Sequence, residues 1–417
     1  MKKIVTAILI LTLGIVLMGC VANNAAPSSS EPINSDSSSS ATPPESKVES
    51  EPDSKPESTP NNLSAEAIKK NAIDEKISKM SIEEKIGQLF FVAFREDANG
   101  NAVTAINDEI SKTIKDYSVG GVILFGENID TAKQTTKFVS DMQKESTIPL
   151  FIGTDEEGGT VSRLNASGKL DVKKEATAGS IGKTGDTKKA YNMMSRIAKE
   201  LKPLGINLDF APDADINTNP KNPVIGNRAF GTKPYPTADM VSSAIKGLTD
   251  NGILATAKHF PGHGDTTTDT HKGETIVKHD IERLRSEEFI PFKRAIKDDI
   301  PFIMVAHIKT PNITTDNLPA TMSHKMITEI LREELGFQKI VITDSLSMGA
   351  ITEYYNSGNV ATNCIKAGVD MLLMPKDLNM ARKALLEAVT AGTISEDRIN
   401  TSLRRILSVK YDAGLFK

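Results

Sequence analysis

The chain has 417 residues, 39% of them hydrophobic and 25% charged, which is enough for one large domain or for two to three ordinary ones. Its formal net charge of −4 gives no sign of the basic surface that nucleic-acid binding requires, so we expect no nucleic-acid partner. Two cysteines exclude a disulfide scaffold, and there is no CxxC pair for structural zinc or redox chemistry. The lack of tryptophan argues against an aromatic-rich sugar-binding surface.

Residues 1–20 have the pattern of a secretory signal. A cationic start precedes the apolar run Ile4–Met18, which is short for a membrane span. The run ends in Leu17-Met18-Gly19-Cys20, which resembles the bacterial lipobox and predicts cleavage before Cys20 and lipid attachment to its thiol. The alternative is an ordinary signal peptide that contains a cysteine by chance. We therefore expect an extracytoplasmic protein, anchored to the cell membrane as a lipoprotein.

Residues 21–63 are rich in Ser, Pro, Glu and Asn and poor in apolar residues. Such a segment cannot bury enough surface to offset its chain entropy, so we predict a disordered linker. Residues 64–417 then form the folded body, which the linker tethers to the membrane.

The folded part repeats one pattern, in which a short apolar run precedes an amphipathic segment. Eight continuous apolar runs predict strands that are buried on both faces. Eight βα units indicate an α/β fold with a single TIM-like (β/α)8 barrel, and an open doubly wound sheet is the alternative. No GxGxxG follows the first run, which argues against a dinucleotide fold. The predicted strands are Leu89–Phe94, Gly121–Phe125, Leu150–Thr154, Asn207–Ala211, Leu254–His259, Phe302–His307, Ile340–Asp344 and Met371–Met374.

Two helices have clear boundary signals. Thr237 is placed to cap one amphipathic segment, which Gly252 ends. Ser323 is placed to cap another, which Gly336 ends.

Three of the six histidines fall within Lys258–His271, which leaves a strand and runs through Pro and Gly into a loop. In one interpretation a histidine transfers protons and Asp269 orients it. Asp269 and His271 are two residues apart, so in an extended loop their side chains lie on the same side. The other interpretation is a metal site, although no familiar ligand spacing is present. Its ligands would be His259, His263, His271 and either Asp265 or Asp269.

Asp344 follows the apolar run Ile340–Thr343, where a carboxylate is hard to explain by packing. Its simplest structural role is to cap the next turn. Its functional role is that of a nucleophile or general base at the barrel mouth, kept ionised by nearby Arg228 or Lys258.

Other polar residues have the same placement after strands. Asp155 ends a strand and precedes Glu156-Glu157-Gly158-Gly159, and Arg163 follows it closely. Arg228 lies in the segment 225–231, and His307 ends its own strand. A rim that mixes donors and acceptors in this way suits a neutral polyhydroxylated ligand.

Taken together these motifs resemble glycoside hydrolase family 3, in its β-N-acetylglucosaminidase branch, from about residue 80 to the C-terminus. The run Lys-His-Phe-Pro-Gly-His-Gly at 258–264, followed by Asp269-Thr270-His271, is the most specific element. Three other motifs contribute to the resemblance: Asp155-Glu156-Glu157-Gly158-Gly159, Thr343-Asp344-Ser345-Leu346-Ser347-Met348 and the segment 225–231.

The resemblance implies a role for each of these residues. Asp344 would be the nucleophile of a retaining hydrolysis, and His271, paired with Asp269, the general acid/base. The resemblance implies no metal and no cofactor. The positions that would hold N-acetylglucosamine in the first subsite are Asp155, Arg163, Arg228, Lys258 and His259.

We therefore expect a monomeric, lipid-anchored, exo-acting β-N-acetylglucosaminidase whose partners are small glycosides or muropeptides. Its substrates would be cell-wall fragments or chito-oligosaccharides. The alternatives are a β-glycosidase of other specificity, an N-acetylglucosaminide phosphorylase, a metal hydrolase and a non-catalytic sugar-binding lipoprotein.

Overall fold

Residues 64–416 are described by a computed structural model, in which helices and strands alternate along the chain. The predicted signal peptide, lipobox cysteine Cys20 and linker lie outside the described residues. Within residues 64–416, no helix is both long and apolar enough to span a bilayer.

Eight parallel strands form the central sheet, one for each of the eight apolar runs predicted from the sequence. Seven lie within their predicted runs, and the fifth extends one residue beyond its run, to Phe260. Every strand pairs with its neighbour along the chain, so the sheet follows chain order. The strands are β1 (Phe90–Ala93), β2 (Gly121–Ile123), β3 (Phe151–Thr154), β4 (Leu208–Asp209), β5 (Leu254–Phe260), β6 (Phe302–Val305), β7 (Ile340–Thr343) and β8 (Leu372–Leu373).

The two ends of this sheet meet and close it into a barrel. β1 pairs with β8 through Phe90 and Leu372. β7 reaches β8 through the parallel bridge between Ile342 and Met371. The expected TIM-like (β/α)8 barrel is thereby confirmed, and the alternative of an open doubly wound sheet is wrong.

Helices cover the outside of the barrel and connect its strands. The helices are Ala65–Ser78, Ile82–Gly87, Asp108–Tyr117, Ala132–Glu145, Ala178–Gly182, Thr187–Leu201, Pro234–Thr249, Ile281–Ser286, Phe289–Lys297, Gly349–Thr352, Ser357–Ala367, Leu378–Thr390 and Glu396–Asp412, together with the π-helix Lys325–Glu334.

The two predicted helix starts are only partly right. The helix Pro234–Thr249 begins before Thr237, which is buried inside it, because Pro234 already has the backbone geometry of a first helical residue. Ser323 does lie at the start of its helix, where its hydroxyl accepts a bond from the N–H of Met326 at 3.5 Å. That helix begins two residues further on and is a π-helix.

Interlocking aromatic rings fill the barrel. Phe91 of β1 packs edge-on against Phe210 with ring centroids 5.3 Å apart, and Phe151 packs in the same way against Phe302 at 5.2 Å. Gly153 leaves room for this layer, since a Cβ there would lie 2.8 Å from the Phe210 ring. The barrel is thus a packed core, and a ligand has to bind at its rim.

The last helix inserts a lysine into this core. Lys410 is fully buried, and its ammonium donates to Gln88 Oε1 at 2.9 Å and lies 4.9 Å from the centroid of the Phe151 ring. The same helix packs on the first one through an ion pair between Lys69 and Asp412, at 2.8 Å.

A small second sheet was not predicted. It pairs Thr275–Ile276 with Ile308–Lys309 in parallel beside the barrel. Two residues are too few to show a periodic pattern in the sequence.

Candidate active site

The polar residues that follow the strands line one cavity at the carboxyl rim of the barrel. Its volume is about 360 Å³. Seven of the eight predicted catalytic and sugar-binding residues line it: Asp155, Arg163, Arg228, Lys258, His259, His271 and Asp344. The eighth, Asp269, lies directly behind His271. Parallel strands put their carboxyl ends on the same face, so residues up to 189 positions apart in the sequence meet there.

Asp344 follows β7 directly and is half-buried at the cavity wall. Its own N–H donates to Val305 O on β6 at 2.8 Å, and its Oδ1 accepts the N–H of Ser345 at 2.7 Å. Burial alone would raise the pKa of the Asp344 carboxyl. Neighbouring His259 and the Ser345 N–H outweigh burial and hold that pKa below its ordinary value. Asp344 is therefore an ionised carboxylate at neutral pH.

His307 fixes the backbone next to Asp344. It is buried after β6, with Nε2 2.9 Å from Ser345 O and Nδ1 3.1 Å from the hydroxyl of Thr321. One neutral tautomer satisfies both contacts, with Nε2–H donating to the carbonyl, and burial lowers the pKa of His307. The candidate nucleophile is thereby held on both sides, by β6 and by His307.

A lysine and two carboxylates form the polar floor of the cavity. Lys258 of β5 is buried, and its ammonium lies 2.9 Å from Asp155 Oδ1 and 2.7 Å from Glu157 Oε1. Burial would raise the pKa of Asp155, but Lys258 and Arg163 hold it below its ordinary value. All these groups are therefore charged and paired.

Arg228 reaches the same floor from the 3₁₀ turn Gly226–Arg228. It holds Glu157 with two bonds, Nε to Oε2 at 2.9 Å and Nη2 to Oε1 at 2.7 Å. The sequence predicts that Arg228 or Lys258 keeps Asp344 ionised. In the structure these two cations pair with Glu157 and Asp155, and the neighbour that lowers the pKa of Asp344 most is His259.

His259 also belongs to β5, and a carboxylate holds it from behind. Its Nδ1 lies 2.7 Å from Asp215 Oδ2, while its Nε2 lies 3.3 Å from Nη2 of Arg228. Asp215 is fully buried and also accepts the N–H of His263 at 2.6 Å. The imidazole of His259 therefore has a fixed orientation at the cavity wall.

Asp269 and His271 form a dyad on the loop after β5. His271 Nδ1 and its backbone N–H lie 2.8 Å and 2.9 Å from Asp269 Oδ1. The side chain of His271 is 65% exposed, so the ring reaches the cavity from the solvent side. These contacts hold the pKa of Asp269 below its ordinary value, against the effect of its partial burial. The two side chains meet as expected, but the expected extended loop is wrong. The N–H of Lys272 donates to Asp269 O at 2.9 Å, so residues 269–272 form a turn, and the bond from the His271 N–H to Asp269 Oδ1 closes it on the inside.

The histidines of the loop do not gather around one point, as the metal interpretation required. His263 contacts the hydroxyl of Thr266 at 2.8 Å, and Asp265 pairs with His279 at 2.6 Å. Within residues 64–416, the one set of three groups close enough to share an ion is Asp213, Asp215 and His259. Their closeness is already explained by two hydrogen bonds, one between Asp215 and His259 and one from the N–H of Asp215 to Asp213 Oδ1 at 2.9 Å.

Two residues of the site were missed as site residues in the sequence. Glu157 was noted only as part of a motif, and Asp215 was not singled out at all. Both follow strands, as Asp155 does, so their placement was a usable signal. Their partners come from other segments, Arg228 from a 3₁₀ turn and His259 from β5, and that pairing is visible only in the fold.

The cavity thus combines three chemical resources. An ionised carboxylate stands on a rigid strand end, and an imidazole backed by a carboxylate faces the same space. In the same cavity, fixed charges and a histidine can bind hydroxyl and amide groups. A nucleophile and a proton donor that face one cavity are the groups required for double displacement at an acetal carbon.

Known proteins are similar to this chain in sequence and in fold. Beta-hexosaminidase A of Pseudoalteromonas piscicida is 35% identical over 335 residues, which are 74% of this chain and 56% of that protein. The structure of a glycoside hydrolase family 3 beta-N-acetylglucosaminidase from Paenibacillus sp. str. FPU-7 matches with a TM-score of 0.76 and 37% identity, over 81% of this chain and 63% of that one.

A third similar structure is that of a beta-glucoside phosphorylase, BglX, bound to 2FGlc. It has a TM-score of 0.75 and 25% identity, over 85% of this chain and 62% of that one. The chain thus spans less than two thirds of the length of each of these three proteins. The family model described as the glycosyl hydrolase family 3 N terminal domain matches residues 81–409, so this chain belongs to glycosyl hydrolase family 3.

Proposed function

We propose that this protein is a retaining exo-β-N-acetylglucosaminidase that hydrolyses terminal β-linked N-acetylglucosamine from cell-wall fragments or chito-oligosaccharides. The observation that carries the proposal is the presence of Asp344 and the Asp269-backed His271 on one small cavity. Family membership and the beta-hexosaminidase and beta-N-acetylglucosaminidase relatives support the same activity.

In the first step an oxygen of Asp344 attacks the anomeric carbon of the bound sugar. The carbon–oxygen bond to the leaving group breaks, and its electron pair stays on the leaving oxygen. That oxygen takes the proton of the His271 imidazolium and departs as an alcohol. The product is a covalent glycosyl ester on Asp344, next to a neutral imidazole.

In the second step water opens this ester from the face that the leaving group has left. His271 removes a proton from the water as its oxygen bonds to the anomeric carbon, and Asp344 leaves as a carboxylate. Two inversions retain the β-configuration. The proton on His271 is restored, so the enzyme returns to its starting state.

The cavity favours one terminal sugar. A volume of about 360 Å³ lies at the small end for ligand pockets, which suits a single ring better than an extended chain. The paired charges of Asp155, Lys258 and Arg228 offer donors and acceptors without a large net field, as a neutral sugar requires.

The cellular setting belongs to the same proposal. The lipobox at Leu17–Cys20 supports a lipoprotein on the outer side of the cytoplasmic membrane, where cell-wall fragments occur. We propose a monomer that binds neither metal nor cofactor, since the two catalytic roles are filled by side chains.

A substrate panel tests the activity. Nitrophenyl β-glycosides with and without the 2-acetamido group, in water and in phosphate, with and without chelator, separate the alternatives. We expect turnover of the N-acetylglucosaminide, insensitivity to chelator, and free sugar as the product. A metal requirement would favour a metal hydrolase, and no turnover of any glycoside would favour a binding lipoprotein.

A trapping experiment tests the mechanism. A 5-fluoro β-N-acetylglucosaminyl fluoride should label the peptide that contains Asp344, and NMR should show a β-configured first product. Label on Asp155 or Asp269 would identify another nucleophile. An α-configured first product would reject retention.

The similarity to a beta-glucoside phosphorylase favours phosphorolysis as a second candidate. A histidine acid/base repels an incoming phosphate less than a second carboxylate would. If the enzyme at physiological phosphate concentration forms sugar 1-phosphate faster than free sugar, it is a phosphorylase.

A further inference from the structure

The loop that carries the dyad is held by a buried residue between two accessible ones. We define residues 267–273 as the dyad loop. Thr270 is buried, whereas Asp269 and His271 on either side of it reach solvent. Its hydroxyl lies 3.2 Å from Nε2 of His263, which is also buried. The loop is thus fixed from inside by a side chain that takes no part in the chemistry.

His263 is itself rigid. Its Nδ1 lies 2.8 Å from Thr266 Oγ1, and its backbone N–H donates to Asp215 at 2.6 Å. Asn222 donates to its carbonyl at 2.8 Å. Burial lowers the pKa of His263, so it stays neutral and can accept from Thr270 through Nε2. One side of the dyad loop therefore rests on a fixed hydrogen-bond acceptor.

The other side of the loop rests on the backbone just after the candidate nucleophile. The N–H of Ala350 donates to Thr270 O at 3.1 Å, and that of Gly349 donates to His271 O at 3.3 Å. Both donors open the short helix Gly349–Thr352, which begins five residues after Asp344. The segments that carry the two candidate catalytic groups are thus joined by direct hydrogen bonds.

A glycine is needed at position 349 to leave space for the dyad loop, and not because the backbone there has a conformation that only glycine adopts. Its φ does not fall in the positive region that favours glycine. A Cβ at this position, however, would lie 2.7 Å from His271 O and 3.3 Å from the carbonyl carbons of His271 and Lys272. All three atoms belong to the dyad loop, so any side chain here displaces that loop.

We propose that His263 and the Gly349–Ala350 segment position the dyad loop for proton transfer, and that a side chain at 349 would impair proton transfer by displacing His271. This inference rests on the proposed acid/base role of His271. His263, Gly349 and Ala350 are positioning residues, because they affect the reaction only through the position of His271.

The test compares Gly349→Ala with His271→Ala on two glycosides. Methyl β-N-acetylglucosaminide needs a proton for its leaving group, and the 2,4-dinitrophenyl compound does not. We expect Gly349→Ala to lower kcat/KM for the methyl glycoside by about 10²-fold, the order expected for a misplaced catalytic group. Its kcat/KM for the dinitrophenyl glycoside should stay at the wild-type value. Its kcat there should fall, because opening the glycosyl ester needs a base, and added azide, which needs none, should restore it.

Gly358→Ala is the matched control. Its Cβ would meet Ala384 at 3.0 Å, away from the cavity, so both glycosides should react as with wild type. Thr270→Val, with Thr270→Ser as the conservative rescue, tests the His263 side in the same way. The two Thr270 variants also test the inference if Gly349→Ala does not fold.

Two results would overturn the inference. One is wild-type kinetics in Gly349→Ala while His271→Ala shows the leaving-group dependence. The other is an equal loss on both glycosides in folded Gly349→Ala, which would indicate a damaged pocket. If His271→Ala itself shows no leaving-group dependence, the proposed function fails instead, since His271 would not transfer protons.

Discussion

A single carboxylate oxygen, Oδ1 of Asp269, accepts both the ring Nδ1–H and the backbone N–H of His271, at 2.8 Å and 2.9 Å. The first bond fixes the tautomer, so Nε2 is the atom left to exchange a proton. The second bond ties the carboxylate to the backbone of the same residue. Asp269 and His271 therefore move as one unit with the loop.

His271→Ala should separate bond breaking that needs a proton from bond breaking that does not. We expect kcat/KM for chitobiose to fall by about 10²–10⁴-fold, the usual contribution of general acid catalysis. The loss should be far smaller for a dinitrophenyl glycoside. Asp269→Ala should show the same pattern more weakly. Equal losses on both substrates would mean that His271 only binds sugar.

Asp344→Asn should abolish activity on both kinds of substrate. Removing a covalent nucleophile leaves no other route for the first step, so we expect a loss on the order of 10⁴-fold or more. Steady-state rates with the dinitrophenyl glycoside provide the measurement. A mild loss there would contradict the assignment, and unchanged sugar binding by calorimetry would show that the pocket is intact.

Glu157→Gln and Asp155→Asn should differ, although both remove a carboxylate from Lys258. Glu157 is 3% exposed and also binds Arg228, so its neutral replacement removes the two-bond partner of Arg228 and leaves Lys258 with Asp155 alone. Breaking a buried pair costs about 3–5 kcal/mol, and Tm should drop clearly. Asp155 faces the cavity, so its replacement should chiefly raise KM. The reverse pattern, read from calorimetry and kinetics, would contradict this division.

The burial of Lys410 predicts a pH-dependent stability. Burial lowers the pKa of its ammonium to about 7 from 10.5. Between these values the unfolded chain holds a proton that the folded protein lacks, so stability rises with pH in this window, by on the order of 5 kcal/mol. Below about pH 7 both states are protonated and this contribution is constant.

Lys410→Met should remove this rise, because methionine does not titrate. The difference in Tm between wild type and variant should change from pH 7 to about pH 10 and then level off. Lys366→Met, at an exposed position, is the control and should show a constant difference. A constant difference for Lys410→Met as well would contradict the lowered pKa.

Cys20→Ser should move the protein from the membrane fraction to the soluble fraction if Leu17–Cys20 is a lipobox. Cys364 is buried in the helix Ser357–Ala367, so Cys364→Ala should stay with the membrane and serves as the control. Continued membrane retention of Cys20→Ser would contradict lipidation. Turnover by a protein that starts at Leu63 should match that of the full chain.

The sequence allowed prediction of the barrel because each strand is a continuous apolar run followed by polar residues. Asp344 stands out in the sequence because a carboxylate after a buried strand is hard to explain by packing. His271 stands out because three of the six histidines fall within one loop segment. Other features depend on contacts between distant segments. The pairing of Glu157 with Arg228, the support of His259 by Asp215, and the need for glycine at 349 have no periodic or local signal. They appear only when strands far apart in the chain become neighbours.

The contact between Lys69 and Asp412 indicates where the chain could be circularly permuted. It brings the first and last helices of the folded body side by side, and β1 pairs directly with β8. A circular permutant that joins these helices by a short linker and opens at the exposed Gly392 would keep every strand beside its present neighbours. In such a ring, strand adjacency and not the starting point of the chain defines the fold.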